Sequence, residues 1–297
     1  MMVTLNTRSM IFTLFGDYIR HYGGEIWIGS LIKLLKEFGH NEQSVRAAIS
    51  RMHKQGWVYS RKEGNRSYYF LSPIGKERME EAAERIFKLK PNIWDGKWRM
   101  LVYSIPEDKR HVRDEFRREL VWSGFGSLAN GLWISPNDLT KQVYTLIDKY
   151  QIRPFVHYFV SSYKGPEENK TLVSTCWNLD EINQKYTNFI HQYEKKYEMD
   201  IASMNEGKKT DADCFVEKTK LVHEFRKFLF IDPGLPECLQ PKQWYGKKAQ
   251  TLFTNYYKLL AEPATRFFEK VIREGDDSIR RVRNFDVLHH PLMREQQ

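Results

Sequence analysis

The chain has 297 residues, with 47 Lys+Arg against 38 Asp+Glu and a formal net charge of +9. That length accommodates two or three domains of roughly 100–150 residues, and 41% hydrophobic with 14% aromatic residues excludes wholesale disorder or a collagen-like chain. No apolar run approaches the roughly 18 residues that cross a bilayer, no export signal is read at the start, and the widely spaced Cys176, Cys214 and Cys238 fit a reducing cytoplasm better than a disulfide or metal framework.

Residues 1–90 hold 15 Lys and Arg against 9 Asp and Glu, so six of the nine surplus charges lie in under a third of the chain. The spacing of Ile11, Leu14, Phe15, Tyr18 and Ile19 predicts a helix from Arg8 to His21, stopped by Gly23-Gly24. Leu31, Leu34, Leu35 and Phe38 predict a second, from Ile28 to Phe38, ended by Gly39. Asn41 is placed to cap a third that runs to about Gln55.

The third helix carries the functional signal. Val45, Ala48, Ile49 and Met52 fall on one face, and the other presents Gln43, Ser44, Arg46, Ala47, Ser50, Arg51 and Lys54. Amide, guanidinium and small side chains are the groups that meet base edges and phosphates, whereas a plain solvated face is the alternative. Two strand-like runs follow, Trp57–Ser60 and Ser67–Leu71, joined by the basic segment Arg61-Lys62-Glu63-Gly64-Asn65-Arg66. A basic hairpin directly after such a helix is the winged variant of helix-turn-helix, in which the helix enters the major groove. Arg46 and Arg51 are then expected to read bases, and Arg61, Lys62, Asn65 and Arg66 to approach the backbone or minor groove. Ser72-Pro73 opens a further helix, from Ile74 to about Leu89.

From Pro91 the pattern changes. An apolar strand at 98–105, a charged helix at 108–123, a short pair at 125–128 and 132–135, a helix at 138–150 and a strand at 155–161 give the order β-α-β-β-α-β of a ferredoxin-like sandwich. Gly124-Phe-Gly126-Ser-Leu-Ala129 matches the dinucleotide-binding string but follows a helix and enters a strand, the reverse of what that motif needs. The last third reads as helices: a long one through Leu179, Ile182, Tyr186, Phe189, Ile190, Tyr193 and Tyr197, another at 215–230, and two more at 246–260 and 263–273. His223-Glu224 lacks the second histidine of a zinc-protease motif, Lys227 standing in its place, and His289-His290 is read as a solvated pair. The fold class expected is α+β, with a winged helix-turn-helix at 1–90, a ferredoxin-like domain at 91–174 and an α-helical domain at 175–297.

Several strings in this order resemble the PaaX family of bacterial transcriptional repressors. They are Arg8-Ser-Met-Ile-Phe-Thr-Leu-Phe-Gly-Asp17, Gln43-Ser-Val-Arg-Ala-Ala-Ile-Ser-Arg-Met52, Leu71-Ser-Pro-Ile-Gly75, Trp94-Asp-Gly-Lys-Trp-Arg99, Trp133-Ile-Ser-Pro136, Leu221-Val-His-Glu-Phe-Arg226, Asp232-Pro233 and Trp244. The resemblance implies a homodimeric, cytoplasmic, non-enzymatic repressor of phenylacetate catabolism. In it, duplex operator DNA is released by a CoA thioester effector, phenylacetyl-CoA. Arg99, His223, Arg226 and Trp244 are the candidates for effector contacts, with core packing or structural hydrogen bonding as the other reading of each. The middle segment is also similar to a small CRISPR-associated metal nuclease family, which offers a metal-dependent nuclease as the rival function. Where that family ends its first strand in a metal-holding Asp, Ser104 follows Tyr103 here, and a hydroxyl is a poor ligand for a hard cation. RNA binding by the basic winged segment is a third reading, separable by competition between duplex DNA and RNA.

Overall fold

The computed structural model describes residues 6–86 and 93–275, a mixture of helices and two antiparallel sheets. His289-His290 lies outside the described residues. Contacts divide the chain into two units that do not follow sequence order: Met1–Phe87 with Phe189–Arg226 and Lys248–Gln297, and Lys88–Asn188 with Lys227–Lys247.

The first unit begins with α1, Thr7–Asp17, whose Asn6 cap accepts from the Ser9 amide. Met10, Ile11, Leu14 and Phe15 make its buried stripe. Beyond a single 3-10 turn comes β1, Glu25–Trp27, a strand that the periodicity does not predict. It is too short for an alternating pattern to show. Next are α2, Ile28–Lys36, and α3, Glu42–Lys54, where the Asn41 side chain accepts from Ser44 N at 2.8 Å, as expected of a cap. The hairpin of β2, Val58–Glu63, and β3, Arg66–Leu71, pairs from Val58↔Leu71 out to Glu63↔Arg66. Only Gly64 and Asn65 remain as the turn. Gly64 takes φ +55°, which a two-residue hairpin favouring glycine in its first central position accommodates. The three strands lie in the order β1-β3-β2, and α4, Pro73–Ile86, follows.

In the second unit β4, Trp98–Tyr103, leads into α5, Arg110–Ser123; then come β5, Gly126–Ala129, β6, Leu132–Ser135, α6, Thr140–Tyr150, and β7, Val156–Ser161. The sheet order is β5-β6-β4-β7, antiparallel throughout, with Leu101 paired to both Trp133 and Tyr158. Leu101 and Tyr103 pack with Phe116, Leu120, Val143 and Ile147 of the two helices. Burying each large aliphatic or aromatic side chain of such a core contributes about 1.5–3 kcal/mol. A short helix, α7, Asn169–Cys176, is not anticipated from the sequence.

Gly124 ends α5 at φ +93°, and Gly126 opens β5, so the dinucleotide-like string is a helix stop followed by a strand. A Cβ at Gly124 would come within 2.8 Å of the Pro233 carbonyl oxygen. A Gly124→Ala variant is expected to lose about 1–2 kcal/mol or more, from left-handed strain plus this backbone clash, read as a lower urea midpoint.

The remaining helices are α8, Leu179–Asn205, α9, Asp211–Phe225, and α10, Gly246–Gly275. The sequence predicts two helices where α10 runs unbroken through Pro263. The missing amide hydrogen bond costs roughly 3 kcal/mol in an isolated helix. Here Leu260, Ala261, Ala264 and Phe268 are buried on both sides of the proline and hold the helix together. α9 and most of α10 complete the first unit's core: Tyr18, the C-cap of α1, stacks on Phe268 of α10 with centroids 4.9 Å apart and meets Phe215 of α9 at 5.3 Å. The sequence divides into three segments, whereas the contacts divide it into two units, because α9 packs on α1 and α10 brings Tyr257 and Phe268 to Asp17 and Tyr18. Among the described residues no helix is long and apolar enough to cross a membrane.

Candidate nucleic-acid interface

In α3 the division of faces is complete. Val45, Ala48 and Met52 are fully buried and Ile49 nearly so. Gln43, Arg46, Ala47, Ser50, Arg51 and Lys54 are all exposed, and Ser44 is half-buried. At 100° per residue those six exposed positions share an arc of about 140°, a single face broad enough to lie along a groove.

Side-chain partners then separate the candidates. The Ser44 hydroxyl donates to the Asn41 carbonyl at 2.8 Å, so it serves the N-terminal turn. Arg46 pairs with Glu42 one turn back at 2.8 Å, with both groups more than half exposed. Such an i,i+4 surface pair is worth about 0.3–0.5 kcal/mol and is readily given up for a base or phosphate. Among the described residues Arg51, Lys54 and Lys62 have no ion-pair partner.

The wing differs from its expected form. The sequence predicts a loop at 61–66, but the ladder continues through it, so alternate side chains point to opposite faces. Arg61 reaches across β3 to β1, where Glu25 accepts from it twice, at 2.6 and 2.8 Å, while Glu63 accepts at 2.6 Å. These hydrogen bonds, that with Glu25 first and that with Glu63 second, hold the Arg61 guanidinium well above the usual arginine range. It also lies over the Tyr68 ring at 4.4 Å. With two carboxylates beside it, Arg61 presents little net positive charge to a phosphate. Arg66 sits over the Trp27 ring at 4.9 Å. Lys62 is on the opposite face, the one on which Ser60 reaches His53 of α3 at 3.5 Å. Asn65 is exposed at the tip. Sequence reasoning missed Glu25, since nothing local relates a residue of so short a strand to one 36 positions on.

Family models match three consecutive stretches of this chain: a PaaX-like protein at residues 6–75, the PaaX protein central Cas2-like domain at 91–173, and a PaaX-like protein C-terminal domain at 177–270. The transcriptional repressor PaaX of Escherichia coli (strain K12) is 34% identical over 280 residues, which are 93% of this chain and 86% of that protein. The chain belongs to the PaaX family. Among solved structures it is similar to the uncharacterized protein Rv0674 from Mycobacterium tuberculosis, at 23% identity and a TM-score of 0.49, covering 80% of this chain and 89% of that one.

The effector candidates in this PaaX-family chain are committed to internal partners. Arg99 is buried and donates to both oxygens of Asp95, at 2.7 and 2.9 Å, and to the Pro136 carbonyl. The Asp95 hydrogen bond raises its pKa, against burial, and in return lowers that of Asp95. The string from Trp94 to Arg99 is thus a folded clasp, with the Trp94 indole donating to the Lys97 carbonyl at 3.0 Å. Trp244 packs edge-on against Tyr186 at 5.5 Å, and Tyr186 stacks on Phe228 at 4.0 Å. His223 lies 3.0 Å from the Thr13 hydroxyl, and Arg226 donates to the Ser9 carbonyl at 3.2 Å and to its hydroxyl. Burial pushes the Arg226 pKa down to about 10. Arg99 and Trp244 belong to one unit, and His223 and Arg226 to the other.

A cleft of about 420 Å³ in the second unit is lined instead by Lys170, Cys176, Trp177 and Leu239, among others. At the end of β4 the Ser104 amide donates to the Phe155 carbonyl at 2.9 Å. Among the described residues no group of three or more His, Cys, Asp or Glu could hold a metal ion. The nuclease alternative draws no support from this position.

Proposed function

We propose that this PaaX-family protein is a cytoplasmic, homodimeric repressor that binds operator DNA through a winged helix-turn-helix at 1–90. In this reading a ferredoxin-like segment at 91–174 and a helical segment at 175–297 complete the chain. The observation that carries the reading is the exposed face of α3, with Arg46, Arg51 and Lys54 presented beside Gln43, Ala47 and Ser50. Amide and guanidinium groups are suited to adenine and guanine edges, and the small side chains allow the helix close approach. A two-fold dimer would seat two such helices in successive major grooves, roughly 34–36 Å apart, on a palindromic site.

The genes it controls are those of phenylacetate breakdown, and the effector is phenylacetyl-CoA. The 420 Å³ cleft supports a site of that chemistry, with Lys170 available to a phosphate and Trp177 to an aryl ring. A ligand moves such an equilibrium only through its different affinities for the two states, so release requires that the effector prefer the form that cannot span the operator. The test is selection of bound genomic fragments by the purified full chain, followed by gel retardation with a panel of acyl-CoA thioesters. Retarded fragments from aromatic-acid genes, released by phenylacetyl-CoA and not by acetyl-CoA, are expected. Fragments without common sequence would refute the reading.

A further inference from the structure

The first helix carries Ser9, Thr13 and Asp17 one turn apart, and each meets a polar side chain of the C-terminal helices of its own unit. Arg226 donates to the Ser9 carbonyl and hydroxyl, and Thr13 Oγ1 lies 3.0 Å from His223 Nδ1. Asp17 accepts from Lys218 Nζ at 2.7 Å and from the Tyr257 hydroxyl at 2.8 Å. The Lys218 ammonium also sits over the rings of Tyr18 and Tyr257, at 4.1 and 4.2 Å. Thr13, Asp17, Lys218 and His223 are buried.

Apolar helix faces can repack at modest cost when total volume is kept, because dispersion is only weakly selective as to which methyl meets which. Buried hydrogen bonds and ion pairs are not indifferent: a shift of one helical turn, about 5.4 Å, separates the pairs of this seam and parts the buried charges of Asp17 and Lys218. The same helix also packs on α3, and its Met10, Ile11 and Leu14 are buried. Whatever fixes α1 therefore fixes the helix whose other face is exposed.

We infer that this seam is a register lock, through which Lys218, His223 and Tyr257 of the C-terminal helices set the position of α3 for sequence-specific DNA recognition. They are positioning residues, none of them on the exposed face of α3. The inference rests on the DNA-binding reading above and adds the element by which a change in α9 or α10 reaches the DNA-reading helix.

The deciding variant is Asp17→Leu with Lys218→Met, which exchanges a buried ion pair for apolar side chains and so removes the register signal while leaving a filled core. Retardation is measured on the duplex that the wild type selects from genomic fragments and on a random-sequence duplex of the same length, alongside circular dichroism. The expected result is a folded protein whose preference for the selected duplex falls at least tenfold. A folded double variant with unchanged preference overturns the inference. Tyr257→Phe, which removes one hydroxyl and keeps the ring, serves if the double variant does not fold: a twofold to threefold drop supports the lock, and no drop overturns it. Should the wild type prefer no duplex, the DNA-binding reading fails by itself. Amide hydrogen exchange then decides the lock, with faster exchange along α1 and α3 in the double variant expected and unchanged exchange overturning it.

Discussion

Replacing Lys218 alone by alanine is expected to destabilise the protein by about 3–5 kcal/mol, the largest single-site loss anticipated for this chain. Lys218 and Asp17 are almost wholly buried, and Asp17 accepts from Lys218 and Tyr257. Burial lowers the Lys218 pKa while the Asp17 charge opposes that shift, so the ammonium depends on this one carboxylate. Without Lys218 the Asp17 carboxylate loses its closest cation and keeps the Tyr257 hydroxyl as a hydrogen-bond donor, and an under-solvated buried charge is more costly than the pair was stabilising. The contrast with the paired apolar exchange is the informative part. Denaturant unfolding should show the single variant far below wild type and the Asp17→Leu, Lys218→Met double variant well above the single one, short of wild type by the stranded Tyr257 hydroxyl. Equal losses in the two would mean that packing, not uncompensated charge, sets the cost.

The second large effect is on DNA. Changing Arg51, Lys54 and Lys62 together to alanine should weaken binding to the selected duplex on the order of a hundredfold, at about 1 kcal/mol for each exposed hydrogen bond removed. The slope of log affinity against log salt should flatten by about 0.9 for each phosphate that the protein no longer neutralises. Arg61→Ala should change that slope little, because Glu25 and Glu63 already neutralise the guanidinium. Retardation assays across a salt series separate the two. A flattening for Arg61→Ala as large as that for Lys62→Ala would mean that the carboxylates let go when DNA arrives.

Much of the candidate interface was legible beforehand, because α3 is amphipathic and its face assignment depends only on spacing. Val45, Ala48, Ile49 and Met52 had to turn inward together, which left Arg46, Arg51 and Lys54 outside. Asn41 and the glycine after α2 marked the helix ends by local hydrogen bonding and backbone freedom, and both acted as expected. Partnership was not legible. Arg61 and Lys62 are adjacent cations of equal apparent promise. Pleating sends them to opposite faces, and only the register of β1 against β3 brings Glu25 to one of them. Likewise the sequence left Arg99 between a ligand contact and a structural hydrogen bond, and only the fold of 95–98 brings Asp95 back onto it.

The amino-acid order by itself determined most of the elements, the inward and outward faces of the helices and the family to which the chain belongs. All of these follow from interactions within a few residues or from recurring short strings. Tertiary structure alone decided that Asp17 meets Lys218, that His223 answers Thr13, and that the last helices share a core with the first. Those contacts span some two hundred residues. Over such separations the pairing is chosen by how whole faces bury together, and the same polar residue is a ligand contact, a solvated charge or a lock according to what that burial brings opposite it.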